Sequence, residues 1–545
     1  MRRNKNYYWL VKSMSILSVC LFFLTFLAYG GHKYSVNKQK PLHLVRTTKG
    51  MVSGVPTKTA GVEVFKGIPY AAAPVGDLRW HAPQPHKNWD GVLKAGGFCA
   101  NCMQATQNQQ LNPPNVNRKS VWTKPFMIPK SPISENCLYL NIWTAAKSSS
   151  EKRPVIVWIH GGGFQIGSGS VPVYNGQAMA KKGVVFVTIN YRLGVFGFLA
   201  LPQLSKESEH HASGNYGLLD QIAALKWVKK NIAAFGGDPE NVTIDGQSAG
   251  SFSINYLVAS PLAKGLFQRA IGESGGDMVS DPMKTTISLQ QAENNGEELL
   301  KKLQVSSLEQ LRKLPADTIR KVAGSFNPNI DGYVLPEKVS KIFVEGKQND
   351  VSTLTGWNVD EGTAFSIYSK PVNATEFKKR AKQIFGDKAG QFLKYYPAQT
   401  DKEAQQSQMH LTRDLLIAIQ NYDWANMQSK TGESDVYLYT FDRKVPAEGN
   451  FKFFGAFHSG EIAYALDNLS YLKRPWKSVD RKLANIMSSY WVNFARTGNP
   501  NGKGLPEWPV YKLDKNQDME LGKTTGPQPV PNKAAMDFLI RYFNK

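Results

Sequence analysis

Four cysteines in 545 residues are too few for a fold stapled by disulfides, and 46 glycines with 30 prolines are too few for a collagenous or low-complexity chain. No internal repeat is visible, so repeat architectures are set aside. Acidic residues are also scarce: 43 Asp and Glu face 66 Lys and Arg, which leaves a formal charge of +23. That sign suits an anionic partner such as nucleic acid or a membrane surface. Yet the basic residues come as scattered groups such as Lys181-Lys182 and Lys378-Lys379-Arg380. There is no long basic run and no zinc-finger or RNA-recognition signature. Nucleic acid is therefore not expected as a partner, and a solvated basic surface is. With 42% hydrophobic residues, the chain can bury a large core.

Carboxylates are missing altogether from the first thirty residues. Arg2, Arg3, Lys5 and Lys12 precede an uncharged run from Ser13 to Gly31, the pattern of an export signal. Without those four charges the body still carries +19. The small pair Ala28 and Gly30 fits a cleavage site, whereas a run of about 19 residues nearly spans a bilayer. Residues 1–30 are thus expected to be a signal peptide or an uncleaved signal anchor, followed by a linker over 31–44. The charge asymmetry places the body on the far side of the membrane, either secreted or periplasmic, or held at the membrane by that segment.

In that setting Cys20 belongs to the leader and leaves Cys99, Cys102 and Cys137, an odd number that has room for one disulfide. These three cysteines and the upstream His81 and His86 match no closed zinc-ligand spacing. Neither a metal nor a cofactor is expected.

Gly61–Tyr70 reads as a hairpin arm, and Asn101–Pro132, rich in Asn, Gln and Pro, as a surface loop. Pro154–Ile159 and Val184–Ile189 are continuous apolar runs, as expected of strands buried on both faces. Leu218, Ile222, Leu225, Val228 and Ile232 recur at helical spacing, and Phe235–Pro239 separates that helix from a strand at Asn241–Asp245. Strands alternating with helices indicate an α/β class. Beyond residue 275 the pattern is mostly helical, with a strand at Asp435–Thr440 and a long periodic stretch through Leu483, Ile486, Tyr490 and Phe494.

The strand at Asn241–Asp245 runs into Gly246-Gln-Ser-Ala-Gly250 and then a helix-like segment to Ala259. This is the pattern of a nucleophile elbow, in which glycines let a sharp turn lift the Ser248 hydroxyl out of the sheet. A serine nucleophile needs donors for the tetrahedral oxyanion. His160-Gly-Gly-Gly-Phe164, directly after a strand, offers the amides of Gly162 and Gly163, to which Ala249 adds its own. Each such donor is worth about 3 kcal/mol in the transition state. The general base must be a histidine, and in hydrolases built on this elbow it follows the serine and the acid. His210 and His211 sit in a polar loop, and His410 sits in a helix-like stretch. His458, in Gly455-Ala-Phe-His-Ser-Gly460, occupies a loop free to place an imidazole. For the acid, Leu354–Gly362 offers Asp360 and Glu361 at the end of an apolar segment. Neighbouring residues at a strand end point opposite ways, so one orients the imidazole and the other meets solvent or backbone.

Phe65–Ala71, Ser134–Trp143, His160–Phe164, Asn190–Gly194, Gly214–Asp220, Phe235–Pro239 and the elbow together resemble successive signatures of the type-B carboxylesterases, the family of carboxylesterases, cholinesterases and bile-salt lipases. The resemblance implies an α/β-hydrolase fold with a mostly parallel central sheet, formed as one domain over residues 45–545. It implies Ser248 as nucleophile, Glu361 rather than Asp360 as acid, His458 as base, and Gly162, Gly163 and Ala249 as oxyanion donors. It also implies a Cys102–Cys137 disulfide with Cys99 free. The chain departs from the family in carrying Gln247 where Glu is common, and it lacks the aromatic choline-binding signature. The expected activity is hydrolysis of neutral carboxylic esters, small-molecule substrates, through an acyl-enzyme. The alternatives are a noncatalytic adhesion or scaffold protein on the same fold, or a lipase acting at membrane surfaces.

Overall fold

A computed structural model describes residues 42–106, 121–122, 126, 132–280, 286–368 and 370–544. The leader at 1–30, nearly all of the linker and most of the Asn101–Pro132 loop lie outside these residues. Pro41–Lys545 gather into one compact unit.

Its frame is one eleven-stranded sheet. In chain order the strands are β1 (Val55–Pro56), β2 (Glu63–Pro69), β3 (Tyr139–Thr144), β4 (Arg153–Ile159), β5 (Val185–Ile189), β6 (Gly237–Gln247), β7 (Arg269–Glu273), β8 (Ser352–Asn358), β9 (Val436–Phe441), β10 (Gln517–Leu521) and β11 (Gly526–Pro529). Across the sheet they run 11-10-9-8-7-6-4-5-3-2-1. Neighbours from β5 to β10 are parallel, and antiparallel strands finish both edges. The sheet and its flanking helices form an α/β-hydrolase fold, as the resemblance implied. Each outermost strand contains proline, which cannot donate to a further strand and so blunts the edge.

The apolar runs are continuous because a core lies on each face of the sheet. Val155, Val157 and Ile159 enter one core, while Ile156 and Trp158, pointing the other way, enter the second with Ile271, Leu354 and Tyr439. The predicted helix spans α1 (Tyr216–Asn231), and the stretch around Tyr490 is α6 (Ser478–Thr497). Strand β6 starts four residues before the expected Asn241. Pro239 lies inside it, at a register shift between Gly237 and Val242, and an imino acid with no N–H masks a strand in a sequence reading. The helix-like stretch that holds His410 is also divided: α4 (Asp401–Arg413) passes through a π-turn at Asp414–Ala418 into α5 (Ile419–Thr431).

Two of the distant signature stretches meet in a buried ion pair. Arg192 donates to Asp220 through Nε at 2.8 Å and Nη2 at 2.7 Å. Removing either partner would strand a charge in the core, at a cost of about 3–5 kcal/mol. Cys102 and Cys137 are bridged and Cys99 is a free, half-buried thiol.

Candidate functional site

The site is assembled where strands of the parallel core end. Ser248 sits between the end of β6 and the start of α2 (Ala249–Ala259), with φ 58° and ψ −125°. Few side-chain-bearing residues adopt that conformation, and here the surroundings impose it. The Ser248 N–H donates to the Glu273 carbonyl at 2.9 Å. A Cβ at Gly250 would come within 2.0 Å of the Ile159 carbonyl oxygen, so only glycine lets α2 start this close to β4.

The glycine loop lies across from the elbow. Gly162 has φ 112°, and a Cβ there would sit 2.1 Å from the Ile166 carbonyl oxygen. Its own carbonyl accepts from the Gln165 and Ile166 amides at 3.1 Å, which folds the loop back on itself. Buried His160 anchors the loop: its ring stacks on Tyr191 at 4.4 Å, and the Tyr191 hydroxyl donates to the His160 carbonyl at 2.8 Å. Burial pulls the His160 pKa down to about 4, outweighing the upward pull of the Gly161 carbonyl, so the imidazole is neutral in ordinary buffers.

His458 and Glu361 meet directly, with Nδ1 2.5 Å from Oε2 and both side chains buried. Glu361 opens α3 (Glu361–Phe365), and its second oxygen accepts the Asn358 N–H at 2.9 Å. The short helix is held from behind: a Cβ at Gly362 would lie 1.9 Å from the Met409 carbonyl oxygen of α4, and Arg413 donates to the Val359 carbonyl at 3.2 Å. Asp360 takes the other role open to a carboxylate in this turn. Its Oδ2 accepts the Ala456 N–H at 2.9 Å, and its own N–H donates to the Ala456 carbonyl, so it clamps the loop that carries His458. His410 lies on the exposed side of α4.

Burial disfavours a charged His458. The Glu361 carboxylate and its hydrogen bond, helped by Glu461, more than compensate and raise its pKa above the ordinary histidine value. Phe365 lies 4.9 Å from the ring and Trp122 6.4 Å from it, edge-on, so the imidazole sits among aromatic faces. Gln247 places its amide 3.4 Å from His458 Nε2 and accepts from the Ser459 hydroxyl at 3.1 Å.

Ser248, His458, Gly162 and Gly163 line one cavity of about 460 Å³, with Ile166, Val171, Tyr174, Trp122, Phe126, Phe365 and Tyr368. Ala249 is buried at the start of α2, next to Ser248 in the chain. Apart from His458, none of the described residues lining the cavity carries an ionisable acid or base stronger than a tyrosine. Such a constellation can take a proton from a hydroxyl, hold the resulting imidazolium beside a carboxylate, and present amides to a developing oxyanion.

Sequence reasoning did not single out Glu461, Asn358 and Ser274. Glu461 is fully buried, accepts from Asn358 Nδ2, and has the Ser274 hydroxyl 3.5 Å away. Burial first, then the Glu361 charge, pushes its pKa up to about 7. The only hint in the chain was an acidic residue within an otherwise uncharged stretch around His458.

A profile of the carboxylesterase family matches residues 41–539. The chain is 36% identical over 505 residues to the fumonisin B1 esterase of Sphingopyxis macrogoltabida, covering 89% of this chain and 87% of that protein. It is 37% identical over 494 residues to the para-nitrobenzyl esterase of Bacillus subtilis, covering 88% and 94%. With liver carboxylesterase 1 of Oryctolagus cuniculus it shares 33% identity over 537 residues, covering 88% and 90%. With an elbow serine, a carboxylate-held imidazole and a glycine loop around one cavity, and relatives that match along nearly their whole lengths, the chain belongs to the carboxylesterase family and is a serine hydrolase of carboxylic esters.

Proposed function

We propose that this enzyme hydrolyses neutral carboxylic esters through an acyl-enzyme on Ser248. His458 serves first as base and then as acid, Glu361 orients it, and the amides of Gly162, Gly163 and Ala249 receive the oxyanion. The observation that carries this reading is the 2.5 Å contact between His458 and Glu361 at the wall of the cavity that Ser248 also lines. In acylation, Ser248 Oγ bonds to the ester carbonyl carbon as its proton passes to His458. The imidazolium then protonates the departing alkoxide, and water repeats the sequence to release the acid.

The neutral preference follows from the cavity wall. Gln247 contributes hydrogen bonds but no Coulomb attraction, and the described wall holds no carboxylate to attract a cationic alcohol group. The body's charge of +19 also repels cations at long range. For two esters with the same acyl group, kcat/KM is expected to be at least about tenfold lower for the choline ester than for the uncharged one at low salt, and the gap should narrow as salt screens the field. A choline ester turned over faster than its uncharged counterpart would refute this reading.

Export through residues 1–30 is part of the proposal, supported by four cations ahead of an uncharged run and by a bridged cysteine pair in the body. No helix among the described residues is long and apolar enough to cross a membrane. Peptide mapping after alkylation without reduction should find Cys102 joined to Cys137 in protein recovered outside the cytoplasm, and Cys99 alkylated slowly because burial raises its thiol pKa. Breaking the bridge with Cys102→Ser and Cys137→Ser should cost about 3–4 kcal/mol of stability, from the closure entropy of a loop of this length. A Cys99–Cys137 peptide would overturn this pairing, and three alkylated thiols would count against export.

A further inference from the structure

Two carboxyl groups lie beneath the elbow with no cation beside them among the described residues. Asp245 is three residues before Ser248 on β6, and Glu273 ends β7. The parallel register sets Asp245 opposite Ile271 and Gln247 opposite Glu273, so strand alternation puts both carboxyls on one face, a diagonal step apart. Both side chains are fully buried and within hydrogen-bonding reach of each other. Glu273 Oε1 accepts the Trp491 N–H at 2.7 Å. Glu273 Oε2 and both Asp245 oxygens meet no well-aligned donor, and the Gly246 amide only flanks Asp245.

The groups that face this pair add no positive charge of their own. Trp158 comes from β4, Tyr439 from β9 and Trp491 from α6, and Tyr174 and Glu461 lie close enough to interact, while Glu361 acts on Tyr439. Among the described residues neither Lys nor Arg acts on either carboxyl, and His458, which acts on Glu461, is held by Glu361. Two buried carboxylates side by side without a cation do not both ionise. A proton between them neutralises one charge and gives one orphaned oxygen of each carboxyl a partner.

The pair is joined to the reacting groups through the backbone. The Glu273 carbonyl accepts the Ser248 N–H, and the next residue, Ser274, approaches Glu461 through its hydroxyl and bonds the Gly356 carbonyl through its N–H. We propose that Asp245 and Glu273 share a single proton at neutral pH and act as positioning residues, the shared proton tying β6 to β7 so that Ser248 keeps its strained conformation against the Glu273 carbonyl. This rests on Ser248 being the nucleophile. Burial, followed for Glu273 by the charges of Asp245 and Glu461, raises both carboxyl pKa values well above the ordinary range, in agreement with a retained proton. When the proton leaves to solvent at alkaline pH, the two carboxylates repel, the strands separate locally and the elbow loosens.

Infrared spectroscopy and pH profiles on the full chain test this together. At about pH 8.5, where ordinary carboxyls and those titrating near 7 are ionised, the wild-type protein should retain the carbonyl stretch of a protonated carboxylic acid. That band should disappear at the pH where kcat on an uncharged aryl ester falls. Asp245→Ala should lower kcat about tenfold with KM nearly constant. Asp245→Asn, whose amide donates to Glu273 permanently, should recover most of that loss, abolish the band and move the alkaline fall in kcat up by about one pH unit or more. Absence of the band from wild-type protein at about pH 8.5, or an alkaline limb that Asp245→Asn leaves in place, would overturn the proposal. The band is also read in Ser248→Ala, where it should persist. An active Ser248→Ala would therefore refute the nucleophile assignment without touching the shared proton.

Discussion

Ser248→Ala and His458→Ala are each expected to lower kcat on a neutral ester by about four to six orders of magnitude, with unfolding curves close to wild type. The losses should be similar and should not add in the double variant, because a serine without its base and a base without its serine leave the same residual catalysis by the oxyanion amides and by substrate binding. Folding should survive, since Ser248 is held through its backbone N–H to the Glu273 carbonyl and the His458 loop is held by Asp360. Single-turnover kinetics with an aryl ester give the more direct check: wild-type enzyme should release a burst of alcohol equal to the sites present, and Ser248→Ala none. Wild-type turnover from Ser248→Ala would end the assignment.

Glu361→Gln should lower kcat by about three to four orders of magnitude and displace the acid limb of the pH profile. Catalysis needs neutral His458. The Glu361 carboxylate stabilises the imidazolium, so the histidine's pKa in the folded enzyme lies above its ordinary value, and kcat/KM should rise with pH through a midpoint above about 6.5. Replacing the carboxylate by an amide removes the charge that held the proton while burial still disfavours it, so the midpoint should move to lower pH as the rate falls. Asp360→Asn, altering a carboxylate bonded to backbone, should leave the midpoint close to wild type. A midpoint that follows Asp360 and ignores Glu361 would reverse the two roles.

Much of this site was legible in the chain because its parts are tied to local backbone demands. An elbow needs glycine where a strand, a serine and a helix crowd together, and the Gly250 contact with Ile159 shows how little room there is. The glycine loop follows a strand for the same reason. By contrast, the choice between Asp360 and Glu361 had no local signature. Both residues are acidic, adjacent and at a strand end, and only the packing of α3 against α4 turns one toward the imidazole and the other toward the loop backbone. Glu461, Asn358 and Ser274 were invisible for a similar reason: each lies on a different segment, and their relation exists only once β7, β8 and the His458 loop are side by side. Strand β6 was read short because Pro239 carries a signal against strand that tertiary pairing overrides.

By itself, then, the order of residues determined the α/β alternation, the elbow and the oxyanion loop, and a histidine placed after them, because these depend on hydrophobic period, on glycine's freedom and on chain order. The tertiary structure decided which carboxylate serves His458, in which direction burial and a neighbouring charge together move its pKa, and that Asp245 and Glu273 meet with no cation beside them among the described residues. Those properties depend on distances between segments far apart in the chain and on the loss of water around them, and no single stretch of sequence records either.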